Sequence, residues 1–198
     1  MIKFREHLPK RTCTKVYEKY TNYKSFLRKD FHKRCGYCNA PDFIKRTRDF
    51  QIDHFVPKAF WGGVIQKNNY YNLVYSCQFC NRAKSQKWPT CDRTKPHNGM
   101  KGFIDPVRQE YDEHLGRTNK GEIIYKTPLG GYIYNELNLY LKRHAILWKL
   151  ERLEVNLKEV QKLNSVDNDH SEVLEKLEYT LLAAIKNYEF ELELEENY

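Results

Sequence analysis

The chain has 198 residues, 40% hydrophobic and 30% charged, enough for one catalytic domain with a buried core plus an appendage. Its opening, Met1 to Lys10, lacks the uninterrupted apolar stretch of a secretory leader, and no later segment approaches a membrane span, so a soluble cytoplasmic protein with no membrane partner is expected. The formal charge of +8 is uneven: residues 1–100 carry 21 Lys/Arg against 7 Asp/Glu, and residues 101–198 carry 13 against 19. Cations bound to phosphates release condensed counterions, so the basic half suits a polyanionic partner; a merely solvated basic surface is the alternative left open by charge alone.

In chain order, Val16, Tyr20, Tyr23 and Leu27 recur at helical offsets among five basic residues, which predicts an amphipathic basic helix over 14–31. Two Cys-x-x-Cys pairs follow, Cys35/Cys38 and Cys77/Cys80. Four thiolates spaced this way close a tetrahedral zinc site, whereas disulfides are rare in a reducing cytoplasm; free thiols or a redox dithiol are the alternatives. Cys13 and Cys91 lack such spacing and read as ordinary side chains, as His97 and His114 read as surface or packing histidines.

Between the pairs, Phe50 to Val56 alternates apolar and polar residues as a strand does, and Pro57 ends it. Residues 57–71, with Trp61-Gly62-Gly63 and Gln66 to Asn69, predict a compact loop before a second strand, Asn72 to Ser76. Gln78 to Lys87 permits a short helix stopped at Trp88-Pro89. Thr118 to Gly121 predicts a hairpin turn in a loop-rich stretch. From Tyr134 a helical apolar stripe runs to Val160, breaks over 165–171 and resumes from Val173 to Ile185, which predicts two antiparallel helices. The alternation of Glu and apolar residues over 189–196 fits a helix end, an edge strand or a frayed tail.

Hydrolysing a phosphodiester needs a base for water and a cation for the charge on phosphate and departing oxygen. Asp53 is a hard oxygen ligand for magnesium or manganese, and strand alternation puts His54, a near-neutral base, on the other face. Asn81 directly follows Cys80, so a zinc ligand would hold its amide oxygen in place, and Lys84, three residues on, shares that helical face and could meet a phosphate. Taken singly, an Asp-His pair is usually structural and an Asn at a helix start usually a cap.

The order of these parts, Cys35, Cys38, Asp53, His54, Asn72, Cys77, Cys80, Asn81 and Lys84 over residues 35–88, resembles the HNH endonuclease family. The resemblance implies a ββα-metal (HNH/His-Me finger) core stapled by a four-cysteine zinc; with the N-terminal helix and the C-terminal helical hairpin that periodicity predicts, the fold class expected is α+β. It implies a catalytic divalent metal, Mg2+ or Mn2+, on Asp53 and Asn81, His54 as general base, and Asn72 orienting the loop through backbone hydrogen bonds. Asn81 stands where many members have histidine, and its oxygen favours magnesium or manganese. Residues 102–153 have a looser similarity to an extension in HNH proteins of bacterial defence loci.

The expectation is therefore a metal-dependent endonuclease, on DNA ahead of RNA, gripping the backbone through Lys58, Lys67, Arg82, Lys84 and Lys87, in a role such as anti-phage defence. Its organisation would be a basic nuclease core over 1–102, a connector over 103–133 and a helical appendage over 134–198, the last able to join a homodimer or a partner protein. The alternatives are a non-catalytic zinc-stapled nucleic-acid-binding module and a partner-gated effector subunit, the latter favoured if the hairpin has apolar residues on more than one side.

Overall fold

The computed structural model describes residues 2–44, 50–61, 66–166 and 171–196 and separates into two compact units, Met1–Tyr140 and Leu141–Tyr198. It is a mixed α+β chain with two small antiparallel sheets among the described residues, where no helix is long and apolar enough to cross a membrane.

In the first unit the basic segment is less helical than its periodicity predicts. A 3-10 turn at Tyr20–Tyr23 runs into α1, Lys24–Asp30, while Val16 stands 93% exposed outside the helix. Tertiary hydrogen bonds decide this. The Tyr23 hydroxyl donates to the Lys15 carbonyl at 3.2 Å and accepts from the Tyr17 N–H at 3.0 Å, and Asn68 Oδ1 accepts from the Tyr20 N–H at 2.9 Å. Tyr23 and Leu27 are buried as the stripe requires.

Strand β1, Phe50–His54, pairs antiparallel with β2, Leu73–Cys77, in the register Phe50 to Cys77 through His54 to Leu73. Every residue of β2 is buried. The first cysteine pair lies against this strand, with the Gly36 N–H bonded to the Tyr75 carbonyl at 2.8 Å. A side chain at Gly36 would meet Phe31 at 2.7 Å and Val74 at 2.8 Å, so only glycine permits the approach. Of the expected 57–71 loop, Lys58–Phe60 and Tyr70–Asn72 are 3-10 turns, while residues 62–65 lie outside the described residues.

Helix α2, Gln78–Lys84, starts directly from β2, with Cys77 as its N-cap and the Cys77 sulfur accepting from the Cys80 N–H at 3.5 Å. It stops three residues before the expected Lys87 because Ser85 takes a left-handed conformation, φ 47°. The predicted hairpin is present as β3, Leu115–Arg117, and β4, Ile123–Tyr125, with α3, Glu110–His114, before it and α4, Pro128–Glu136, after it. Two arginines, Arg5 buried and Arg11 half-buried, tie the N-terminal segment to this region: Arg5 to Asp112 at 2.7 Å, and Arg11 to both oxygens of Asp105 at 2.7 and 3.0 Å.

The second unit is α5, Arg143–Asn164, packed on α6, Ser171–Glu196. The Lys149 ammonium lies 5.0 Å from the Tyr188 ring and Gln161 bonds Glu178 at 2.8 Å, so the helices run antiparallel. The acidic-apolar alternation of 189–196 continues α6, and most of the predicted break, 167–170, lies outside the described residues.

Candidate functional site: an acidic-imidazole cavity beside four cysteines

The sulfurs of Cys35, Cys38, Cys77 and Cys80 all lie within 4.8 Å of one another, on four buried residues, and those of Cys38 and Cys77 are 3.8 Å apart. A tetrahedral zinc with Zn–S bonds of about 2.3 Å separates its sulfurs by roughly 3.8 Å, so the cluster fits that ion. Burial alone would raise the Cys35 thiol, but hydrogen bonds from Cys38, Cys77 and Cys80 hold it well below the ordinary thiol range, while Cys38 and Cys80 are pushed up. Four thiols crowded this closely share negative charge poorly without a cation. The cluster can hold a metal.

Alternation along β1 predicts Asp53 and His54 on opposite faces. Both nevertheless line one cavity of about 300 Å³, with Pro57, Lys58, Asn81, Arg82, Ser85 and Gln86, because the strand ends at His54 and the chain bends over Phe55 and Val56. His54 is fixed through one nitrogen: Nε2 lies 2.9 Å from the Lys67 carbonyl oxygen, to which it can only donate, so Nδ1 is the unprotonated nitrogen of the neutral ring. Tyr20 and Trp61 flank the imidazole at centroid distances of 4.9 and 5.1 Å. Burial lowers its pKa, with the charges of Lys58 and Lys84 adding and the Lys67 carbonyl and Asp53 opposing.

Asn72 is buried and spends its amide on Val56: Oδ1 accepts from the Val56 N–H at 2.8 Å and Nδ2 donates to the Val56 carbonyl at 3.1 Å. Asn81 Nδ2 donates to Gln51 Oε1 at 2.6 Å, which leaves Oδ1 as its remaining oxygen for a ligand. Asp53 accepts two bonds on the same oxygen, Oδ2: from the Tyr37 hydroxyl at 2.5 Å and from the Lys84 ammonium at 3.1 Å. Burial first, then the Asp53 charge, raises the Tyr37 hydroxyl well above its ordinary value, so it remains a donor.

Lys84 corrects the sequence expectation. Rather than facing a phosphate it is 0% exposed, its ammonium shared between Asp53 and the His54 carbonyl at 3.1 Å and set 5.8 Å from the Phe103 ring. The face of α2 that carries Lys84 packs inward, where an ammonium persists only if a carboxylate compensates its lost hydration. Of the other expected cationic contacts, Lys58 and Arg82 line the cavity. Lys67 supplies its carbonyl to His54, and its ammonium lies 5.5 Å from the Tyr20 ring; Lys87 pairs with Glu136 at 2.7 Å. Neither belongs to the cavity lining.

Residues 35–87 match the family model described as HNH endonuclease. This stretch is an HNH domain. Over 206 aligned residues, covering 87% of this chain and 68% of that protein, the chain is 26% identical to the Septu protein PtuB of Bacillus mycoides (strain KBAB4). No solved structure matches. The HNH domain thus holds both the four-cysteine cluster and every lining residue of the cavity. Tyr37 and Gln51, which bond the Asp53 and Asn81 side chains, escaped sequence reasoning because the contacts span 16 and 30 residues. The only local signal was the place of Tyr37 between two paired cysteines.

Proposed function

We propose that this protein is a metal-dependent HNH endonuclease that hydrolyses phosphodiester bonds of nucleic acid, DNA ahead of RNA, in bacterial anti-phage defence. The observation that carries it is the convergence of Asp53, His54 and Asn81 on one cavity, with His54 tethered at Nε2 and Nδ1 unprotonated. Asp53 and Asn81 would hold magnesium or manganese through oxygens not already engaged, within the two-strand-and-helix segment β1, β2, α2 that supports the ββα-metal reading. Such a cation, when bound, supplies charge stabilisation at the phosphate and the departing oxygen. His54 Nδ1 takes the proton from the attacking water, and the Lys67 carbonyl steadies the imidazolium that results. Asn72 keeps the chain bend at Val56 in place and so the end of β1 on which His54 sits. Lys58 and Arg82 meet the phosphates, and zinc on the four cysteines joins the two ends of the domain.

The similarity to the Septu protein PtuB supports the defence role. The deciding experiment is incubation of wild type and His54→Ala with supercoiled plasmid and single-stranded RNA, with Mg2+ or Mn2+ and with a chelator. Cleavage that needs both the metal and His54 supports the reading; a His54→Ala protein as active as wild type overturns it.

A partner-gated effector is a second reading, and one observation favours it. Leu181, Ile185 and Leu192 of α6 are half-buried or buried, yet Val173, Leu177, Phe190 and Leu194 stand 67, 45, 61 and 47% exposed, so α6 is apolar on more than one side. A second copy or another protein would cover these residues. A chain that stays monomeric at high concentration and cleaves at full rate alone counts against this reading.

A further inference from the structure

The buried surroundings of Asp53 go beyond what nuclease chemistry requires of a metal ligand. A carboxylate offers two oxygens and about four lone-pair directions, so a lone aspartate can meet a cation through either oxygen or both. Here the choice is restricted: Tyr37 Oη and Lys84 Nζ both sit on Oδ2, at 2.5 and 3.1 Å. Neither donor can be displaced to solvent, since both side chains are 0% exposed. Tyr37 is itself buried and held by its neighbours. It lies in the Cys35-Gly36-Tyr37-Cys38 turn, flanked by cluster sulfurs, and its carbonyl accepts from the Tyr111 hydroxyl at 2.8 Å. A turn set by the cysteine cluster therefore places a hydroxyl on the carboxylate of the cavity.

We propose that Tyr37 is a positioning residue for the catalytic cation: with Lys84 it occupies Asp53 Oδ2, so that Oδ1 alone is presented to the metal and the four-cysteine site sets that geometry. This rests on the reading of Asp53 as a metal ligand. Groups that orient a metal ligand typically cost about 10- to 100-fold in metal affinity or activity when removed. The hydroxyl of Tyr37 is such a group, and the ring without it still fills the same space.

The test uses the full chain loaded with zinc, and Mn2+ as the probe, with Mn2+ binding followed by calorimetry and by electron paramagnetic resonance. Tyr37→Phe is expected to retain its zinc and its unfolding temperature within a few degrees, yet to bind Mn2+ about tenfold more weakly. The Mn2+ concentration that half-saturates cleavage should rise by the same factor, with saturating Mn2+ restoring most of the rate. Tyr111→Phe removes a comparably buried hydroxyl that bonds the Tyr37 carbonyl but not the Asp53 carboxylate, and is expected to keep Mn2+ affinity close to wild type. Unchanged Mn2+ affinity in Tyr37→Phe overturns the inference, as does an equal loss in both variants or loss of zinc from Tyr37→Phe, each of which makes the hydroxyl a support of the fold alone. Failure of the underlying reading looks different: wild type and Asp53→Ala would then bind Mn2+ equally poorly.

Discussion

The imidazole Nε2 of His54 lies 2.9 Å from the carbonyl oxygen of Lys67, thirteen residues away in the chain. A carbonyl accepts only, so this contact fixes the tautomer and leaves Nδ1 as the basic nitrogen. His54→Ala is expected to lower cleavage by at least about 100-fold, the usual scale of a general base. Zinc content should stay at wild type and the unfolding temperature close to it, and His54→Gln, which can keep a donor toward Lys67 but carries no base, should be equally inactive.

Asn72 acts one step further back. Its amide satisfies both the N–H and the carbonyl of Val56, in a region where water cannot replace it. Asn72→Ala leaves two backbone groups without their partner, at about 1–3 kcal/mol for each buried unsatisfied group. Thermal unfolding should shift down by several degrees and cleavage fall together with it. Asn72→Asp keeps the acceptor and loses the donor, so its stability is expected to lie between the two.

The cysteine cluster should behave as part of the fold rather than of the chemistry. Cys77 contributes a sulfur to the cluster and also caps α2, the helix that carries Asn81. Cys77→Ala is expected to lose zinc, measured by elemental analysis, and to unfold at a much lower temperature. A strong chelator applied slowly to wild type should give the same unfolding, and Mg2+ alone should not restore it, because thiolates are poor ligands for so hard a cation.

Lys84 and Arg82 lie two residues apart on α2 and should fail in opposite ways. Lys84→Ala strands the Asp53 carboxylate, 7% exposed, beside Tyr37 without its cation. Breaking a buried pair on one side costs about 3–5 kcal/mol, so this variant is expected to lose stability before any substrate is added. Arg82→Ala and Lys58→Ala remove cavity-lining cations instead. Their unfolding temperatures should match wild type, while binding to nucleic acid weakens and its salt dependence becomes shallower by about one charge per substitution. Equal binding and salt slope in these variants would remove both residues from the substrate contact.

Much of the site could be read from the sequence because its signals are local. Four cysteines in two pairs announce a metal cluster whatever the intervening chain does, and the Asp53-His54 step and the Cys80-Asn81 step are adjacent residues on short regular elements. The two strands, the helix after them and the terminal helical pair follow from periodicity and from the proline and turn residues that bound them. The stripe expected to run unbroken from Tyr134 to Val160 is nevertheless interrupted: α4 ends at Glu136, Asn138 takes a positive φ of 53°, and α5 begins only at Arg143. Tertiary structure decided what periodicity cannot encode. Residues 14–19 stay outside the helix because Tyr23 and Asn68 take their backbone groups, not because their propensity is poor. Lys84 turns inward because the face of α2 that bears it packs on β1, so a residue that looks like a phosphate contact in the sequence becomes the counter-ion of Asp53. The hold of Tyr37 on Asp53 belongs to the same class: a hydroxyl finds a carboxylate sixteen residues away only once the cysteine turn has been laid against β2.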